Sequence, residues 1–288
     1  MKAIYKRELG SYFNSMTGWI FIAVLTVFIG IYFMAYNLFN GYAYFSYALS
    51  ATTFIFMVAI PILTMRSMAE ERHSRTDQLL LTSPASIGAV VMGKFLALTT
   101  VLLIPMGVAC LCPLIIKLNG TAFLKADYAT ILAFFLLGAV EIAIGLLVSA
   151  LTESQVIASV GTFCILLALY LWDGLVGFLP SSASGSLAGL LVVLVLVCFL
   201  LNGLADNWRL TATVGVVGAA AIVGGYLYRS KWFENLLPNA LGKFSLLDAF
   251  NSFATEHVFD LRGLLLYVSL IALLLFLCCQ VLQKRRWN

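Results

Sequence analysis

Charge is what this chain has least of. Only 10% of its 288 residues are Asp, Glu, Lys or Arg, where a soluble domain carries about 25%. So few charges cannot clothe a water-facing surface, and a soluble fold is excluded. Basic residues gather in a few connecting segments and the net charge is only +4, which excludes a nucleic-acid surface. Histidine is scarcer still, with His73 and His257 alone. Asp248, Glu256, His257 and Asp260 are too scattered for a metal site. The six cysteines, Cys110, Cys112, Cys164, Cys198, Cys278 and Cys279, all lie in apolar runs and read as small buried hydrophobes instead of a disulfide framework. No Ser/Lys, Asp/Asp or His/Glu pair stands at helical spacing within those runs, so no catalytic residue is expected.

What fills the chain instead is apolar: 62% of residues. A membrane-crossing helix needs about 20 such residues in succession. Runs of that kind cover 18–39, 48–65, 93–116, 128–151, 156–179, 187–204, 211–227 and 264–282, eight spans in all. The first is too long for a signal-peptide core and has no small-residue cleavage site after it, so it reads as a retained anchor. Lys2, Lys6 and Arg7 precede the first span, Arg66, Arg72, Arg75 and Lys94 lie between the second and third, and Lys284, Arg285 and Arg286 close the chain. Short loops rich in Lys and Arg stay inside, so both ends are expected in the cytoplasm. That requires an even number of spans, and 187–204 and 211–227 must cross together or not at all. The expected fold is an all-α, polytopic helix bundle forming a single transmembrane domain over 1–288.

The stretch GAVVMGKF, 88–95, has the glycine, four-residue gap, glycine and lysine of a phosphate-binding loop. A working loop follows a strand and places Ser or Thr after the lysine to hold magnesium. Here Phe95 has that place and the segment runs into a span, so the match is fortuitous. Lys94 reads as an anchor at the mouth of the third span, with its stem in the apolar boundary and its ammonium in water.

The residues before it carry more. TMRSMAEERHSRTDQLLLTSPAS, 64–86, mixes charges of both signs, then exposes three leucines and ends near Pro84. It reads as a short cytoplasmic helix with a charged face and an apolar patch, more than topology alone asks for and suited to a partner. The segment 61–97 resembles the cytoplasmic connection between the second and third spans of ABC type-2 exporter permeases, through Glu70, Glu71, Arg72, Thr76, Leu79, Leu80, Ser83, Pro84, Gly93 and Lys94. GLLVSALTESQVIA, 145–158, resembles the same family's inner turn between the fourth and fifth spans, through Gly145, Ser149, Leu151, Thr152, Glu153 and Gln155. The N-terminal 1–16 resembles its membrane-surface connecting helix: Ile4, Tyr5, Leu9, Tyr12, Phe13 and Met16 return at helical spacing, with Lys2, Lys6 and Arg7 on the polar side. The likeness is nearest to the branch that includes gliding-motility-associated and nitrous-oxide-reductase-maturation permeases. Those relatives usually have six spans, so 187–227 looks like an inserted pair.

The resemblance implies a permease subunit of an ATP-driven exporter. It implies two copies of a separate ABC ATP-binding subunit that carry ATP and Mg, leaving no cofactor on this chain, and a second permease copy or a related permease. A multi-pass place in a cell membrane, the inner membrane of a bacterium, also follows, with room for an accessory membrane protein. It makes 66–92 the coupling segment, docked on the ATP-binding subunit through Glu70, Glu71, Arg72, Arg75, Thr76, Leu79, Leu80 and Glu153. The charged residues would set register and encounter rate, and Leu79 and Leu80 would supply the apolar anchor.

Two further features stand apart. Glu141 lies inside the fourth span, where a charged carboxylate costs on the order of 3 kcal/mol; it must be protonated, paired or facing a polar cavity. The segment 229–262 is amphipathic and interrupted at Pro238 and Gly242, and is expected on or dipping into the outer leaflet, or packed on the bundle. The rival function is a secondary transporter working without an ATPase. It would require matching broken helices in two halves of the chain, and no such internal repeat is present.

Overall fold

The computed structural model describes residues 1–76, 86–179, 182–191, 194, 235–243 and 245–287. Among them every regular element is helical. In chain order these are α1 (Lys2–Asn14), α2 (Met16–Phe33, running on as a π-helical stretch Met34–Phe39), α3 (Ser46–Thr64), α4 (Ala69–His73), α5 (Ile87–Ala109), α6 (Cys112–Asn119), α7 (Leu124–Leu151), α8 (Gln155–Tyr170), α9 (Trp172–Gly177), α10 (183–191), α11 (Leu236–Gly242), α12 (Leu246–Ala254) and α13 (Leu261–Trp287). Two compact units emerge, one of Met1–Tyr170 with Leu246–Asn288, the other of Leu171–Ser245.

Five stretches of the first unit are long and apolar enough to cross a membrane: Met16–Phe39, Ser46–His73, Ile87–Asn119, Leu124–Leu151 and Leu261–Lys284. They correspond to the first four and the last of the apolar runs. The fifth run behaves differently. Its helix α8 has 16 residues, about 24 Å at 1.5 Å per residue, short of the ~30 Å hydrocarbon core. One turn residue, Leu171, separates it from α9, Trp172–Gly177, so the run 156–179 is helical in two pieces. Of the expected inserted pair, only α10 and residue 194 are described; the rest of 187–227 lies outside the described residues.

Burial separates the centre of the first unit from its rim. Of the most apolar window in the α3 and α7 spans, 67% is buried, against 28% for α2 and 17% for α13. The two central helices meet through small residues, the way membrane helices approach most closely. Gly145 of α7 lies against Thr64 of α3, and a methyl group added there would fall onto the threonine side chain. Two turns earlier, a methyl on Gly138 would stand 2.8 Å from Leu102 of α5 and 3.1 Å from Phe56 of α3. Phe56 in turn stacks on Phe134 at 4.3 Å between centroids.

The ends of α3 and α5 follow from local chemistry. Pro61 lacks the N–H that would close the last turns of α3, and the chain leaves the helix in a turn over Met65–Met68. α5 starts at Ile87, earlier than the apolar run suggests, because Ser86 Oγ accepts a hydrogen bond from the Ala89 N–H. The residues of the false phosphate loop therefore lie within the first turns of a membrane helix. α12 is packed on the bundle: it buries Leu246, Phe250, Phe253 and Ala254, and its ends are fixed by Tyr267 Oη donating to the Leu246 carbonyl at 2.7 Å and Thr130 Oγ1 to that of Phe253 at 3.1 Å. Cys110, Cys112, Cys164, Cys278 and Cys279 are all free thiols, and Cys164 is exposed on the helix surface instead of buried.

The α3–α7 crossing gives a direct expectation. Gly145→Val should lower the thermal unfolding temperature in detergent markedly, the overpacking costing about 1–3 kcal/mol. Gly30→Val, at a position with open space around it, should leave it unchanged.

Candidate functional site

The segment after α3 is built around α4, five residues long and tied down on nearly every side. Its C-terminus is closed by paired backbone bonds, Thr76 N–H to the Glu71 carbonyl at 2.9 Å and Arg75 N–H to that of Arg72 at 3.1 Å. This 6→1 and 5→2 pattern needs a left-handed residue between. Arg75 takes that conformation, with φ 56, at a cost of roughly 1–2 kcal/mol relative to glycine.

Its N-terminus is held by one hydroxyl of α7. Ser149 is fully buried. Its Oγ accepts from the N–H groups of Met68 at 3.1 Å and Ala69 at 3.0 Å, and donates to the Met65 carbonyl at 3.2 Å. Helix starts leave orphan amides, and here a neighbouring helix satisfies two of them. Beside it, Arg72 donates to Glu153 Oε1 at 2.8 Å and to the Ala150 carbonyl at 3.4 Å, binding α4 to the turn between α7 and α8.

The inner face of α4 carries the densest electrostatics described in the protein. Lys94 of α5 has a side chain only 1% exposed. Its Nζ stands 3.1 Å from Glu8 Oε1, 3.0 Å from Glu71 Oε2, and 2.7 Å from the Ser67 carbonyl, to which it donates. Arg7 completes the group, reaching Glu8 Oε1 at 2.6 Å and Glu71 Oε1 at 2.7 Å. Two cations and two carboxylates balance, and a buried charge is tolerable only when paired and hydrogen-bonded in this way. The hydrogen bond to Glu8 outweighs partial desolvation and holds the Arg7 guanidinium above its ordinary pKa. Burial, then the charge of Glu8, push the adjacent Tyr12 phenol well above its own, so it stays neutral.

The expectation that the Lys94 ammonium lies in water is therefore corrected. What covers it is α1, which lies on α5 so closely that a methyl on Gly93 would stand 3.1 Å from Ile4 Cγ2; Tyr5 Oη and Thr100 Oγ1 are 3.0 Å apart along the same seam. α1 ends at Asn14, so Met16 belongs to α2 and is exposed. Glu8 is the member that motif reading missed. The available signal was its isolation, for it is the only acidic residue before Glu70.

The residues assigned to docking divide accordingly. Glu71 and Arg72 direct their charges inward, and Glu153, 69% exposed, is paired with Arg72. Arg66, Glu70, His73, Arg75 and Thr76 are exposed. Leu79 and Leu80 lie outside the described residues. Among the described residues no group of three metal-ligating side chains exists.

Residues 2–188, which include every part of this cluster, match the family described as ABC-2 family transporter protein. The chain belongs to that family. No curated protein matches it. The protein is thus a multi-pass membrane permease component of an ABC transporter, and members of this family typically work with an ATP-binding subunit. In this ABC-2 permease, the second resembling block contributes Ser149, Glu153 and Gly145, which all lie on or beside the seat of α4.

Glu141 is remote from that seat. It borders a narrow void of about 10 Å³ between α3, α7 and α8, with Thr53 and Tyr170 nearby, and its Oε2 is buried without a hydrogen-bond partner among the described residues.

Two outcomes are expected. Lys94→Met strands two carboxylates against one guanidinium and should cost about 3–5 kcal/mol in unfolding measurements, with Lys94→Met/Glu8→Gln recovering part of the loss; wild-type unfolding in the single variant would show the cluster to be without structural weight. Glu141→Gln, which keeps the shape and removes the ionisable proton, should unfold and assemble as the wild type does, because no partner charge is found for it among the described residues.

Proposed function

We propose that this permease converts the closure of a separate ATP-binding subunit into helix movement, and that α4 with the leucines after it is the handle. One observation carries this reading: a five-residue helix is anchored to α1 through Arg7, to α5 through Lys94, to α7 through Ser149 and to the α7–α8 turn through Glu153. A push on such an element is delivered to several helices together.

Glu70, His73 and Arg75 are exposed on α4 and just beyond it, available to a partner for register and encounter rate. Glu71, Arg72 and Glu153 hold the handle in place. A polar cleft of about 450 Å³ between α1 and α4, with Arg66 and Glu70 at its edge, gives a partner segment room to enter. Leu79 and Leu80 provide the apolar anchor that charges alone do not.

In this reading the α4 end faces the cytoplasm, as the distribution of Lys and Arg favours. The inserted pair crosses twice to keep both termini there, giving eight spans. Two ATP-binding subunits and two permeases make up the complex, in the inner membrane of a bacterium, and ATP and Mg are bound by the partner chains.

Pull-down of the ATP-binding subunit by the tagged permease tests the reading. Leu80→Asp should abolish co-purification and nucleotide hydrolysis by the complex, and undiminished co-purification would overturn the docking assignment. Arg72→Ala should retain the partner and lower transport-coupled hydrolysis, since it loosens the handle without removing its outer face.

A further inference from the structure

At the end of the bundle opposite α4 lies a cavity of about 590 Å³, walled by the end of α6, the start of α7 and the link between α12 and α13. Its polar lining is cationic. Lys117 and Lys125 both border it, and neither ammonium has an ion-pair partner among the described residues. No carboxylate joins them. Asp127 faces the Phe45 N–H, which donates to its Oδ1 at 2.8 Å, and Asp260 accepts from the N–H groups of Arg262 and Gly263 at the start of α13.

Two more features point the same way. α7 begins here with no side-chain cap on its first amides, and the one acid of its first turn, Asp127, is buried and turned to the Phe45 N–H, so the first amides of a 28-residue helix border the cavity. His257 also lines it, held in a left-handed conformation at φ 54 with its ring stacked 3.7 Å from that of Tyr44. Its buried Nδ1 has no hydrogen-bond partner among the described residues. The rest of the wall is apolar, with Phe123, Phe253 and Phe259.

We propose that this cavity holds an anionic phospholipid of the leaflet opposite α4, with its phosphate between Lys117 and Lys125 and its acyl chains along the phenylalanine wall. Free phosphate would satisfy the cations but leave the apolar half bare, and a zwitterionic lipid would bring a second cation into a lining that has no acid to meet it. The position suits a lipid, since the cavity opens where long apolar helices end, at headgroup depth.

The full chain in nanodiscs of mixed phosphatidylglycerol and phosphatidylcholine tests this, each lipid in turn carrying a photoreactive acyl chain. Phosphatidylglycerol should label peptides covering 117–129 and 253–261 about tenfold more than phosphatidylcholine, as attraction to two lysines near the surface predicts. Lys117→Gln/Lys125→Gln should erase the preference while Lys117→Arg/Lys125→Arg keeps it. Both lysines are exposed, so the variants should retain wild-type unfolding, which is measured alongside. Equal labelling by the two lipids, or a preference that survives the glutamine pair, would overturn the site. Loss of labelling on adding millimolar inorganic phosphate would also overturn it, by showing an anion pocket indifferent to the acyl chains.

Discussion

A lysine that cannot reach water governs the end of this protein where α4 sits. Once Lys94 is covered by α1, its charge must be answered nearby, and Glu8 of α1 and Glu71 of α4 do so. Those carboxylates then need more than one cation between them, and Arg7 supplies it. The positions of α1, α4 and α5 are thus set by one requirement of charge balance in a low-dielectric place. Such a cluster adds little net stability compared with well-packed apolar residues. Its strength is geometric, because distances near 3 Å admit few alternative arrangements.

Around that cluster the packing is of another kind. Gly138 and Gly145 let α7 come close to α3 and α5, and Ser149 continues the same side of α7 into the seat of α4. Helix contact in lipid relies on close van der Waals fit and a few hydrogen bonds, since the tails outside are as apolar as the side chains within. The bundle therefore changes character along its length, from small-residue contacts at mid-depth to charges at the end where α4 sits. α4 rests on the second kind and is steadied by the first.

Much of this was legible in the residues, and the limits are instructive. Four of the first five apolar runs and the last became spans because length and composition alone decide whether a helix can cross a bilayer. The run 156–179 is helical in two pieces, Gln155–Tyr170 and Trp172–Gly177, a break at Leu171 that hydropathy does not register. The patterns of 64–86 and 145–158 drew them out of the sequence, and Ser149 and Glu153 bond to α4 and its entry. The inward turn of Glu71 and Arg72 was not visible, for spacing on so short a helix does not say which face is covered. Lys94 was misread for the same reason: a lysine at the mouth of a span lies in water unless another segment lies over it, and that segment was far away in the chain. The cavity at the end opposite α4 left no motif at all, since the fold alone brings Phe253, His257 and Phe259 to Lys117 and Lys125.

The pairing of Glu8 with Lys94 also fixes an order of events. Glu8 is synthesised long before Lys94, and until the third long helix has been made its charge can be met only by its neighbour Arg7. The full set of four charges can therefore close only after α1, α4 and α5 have all been made.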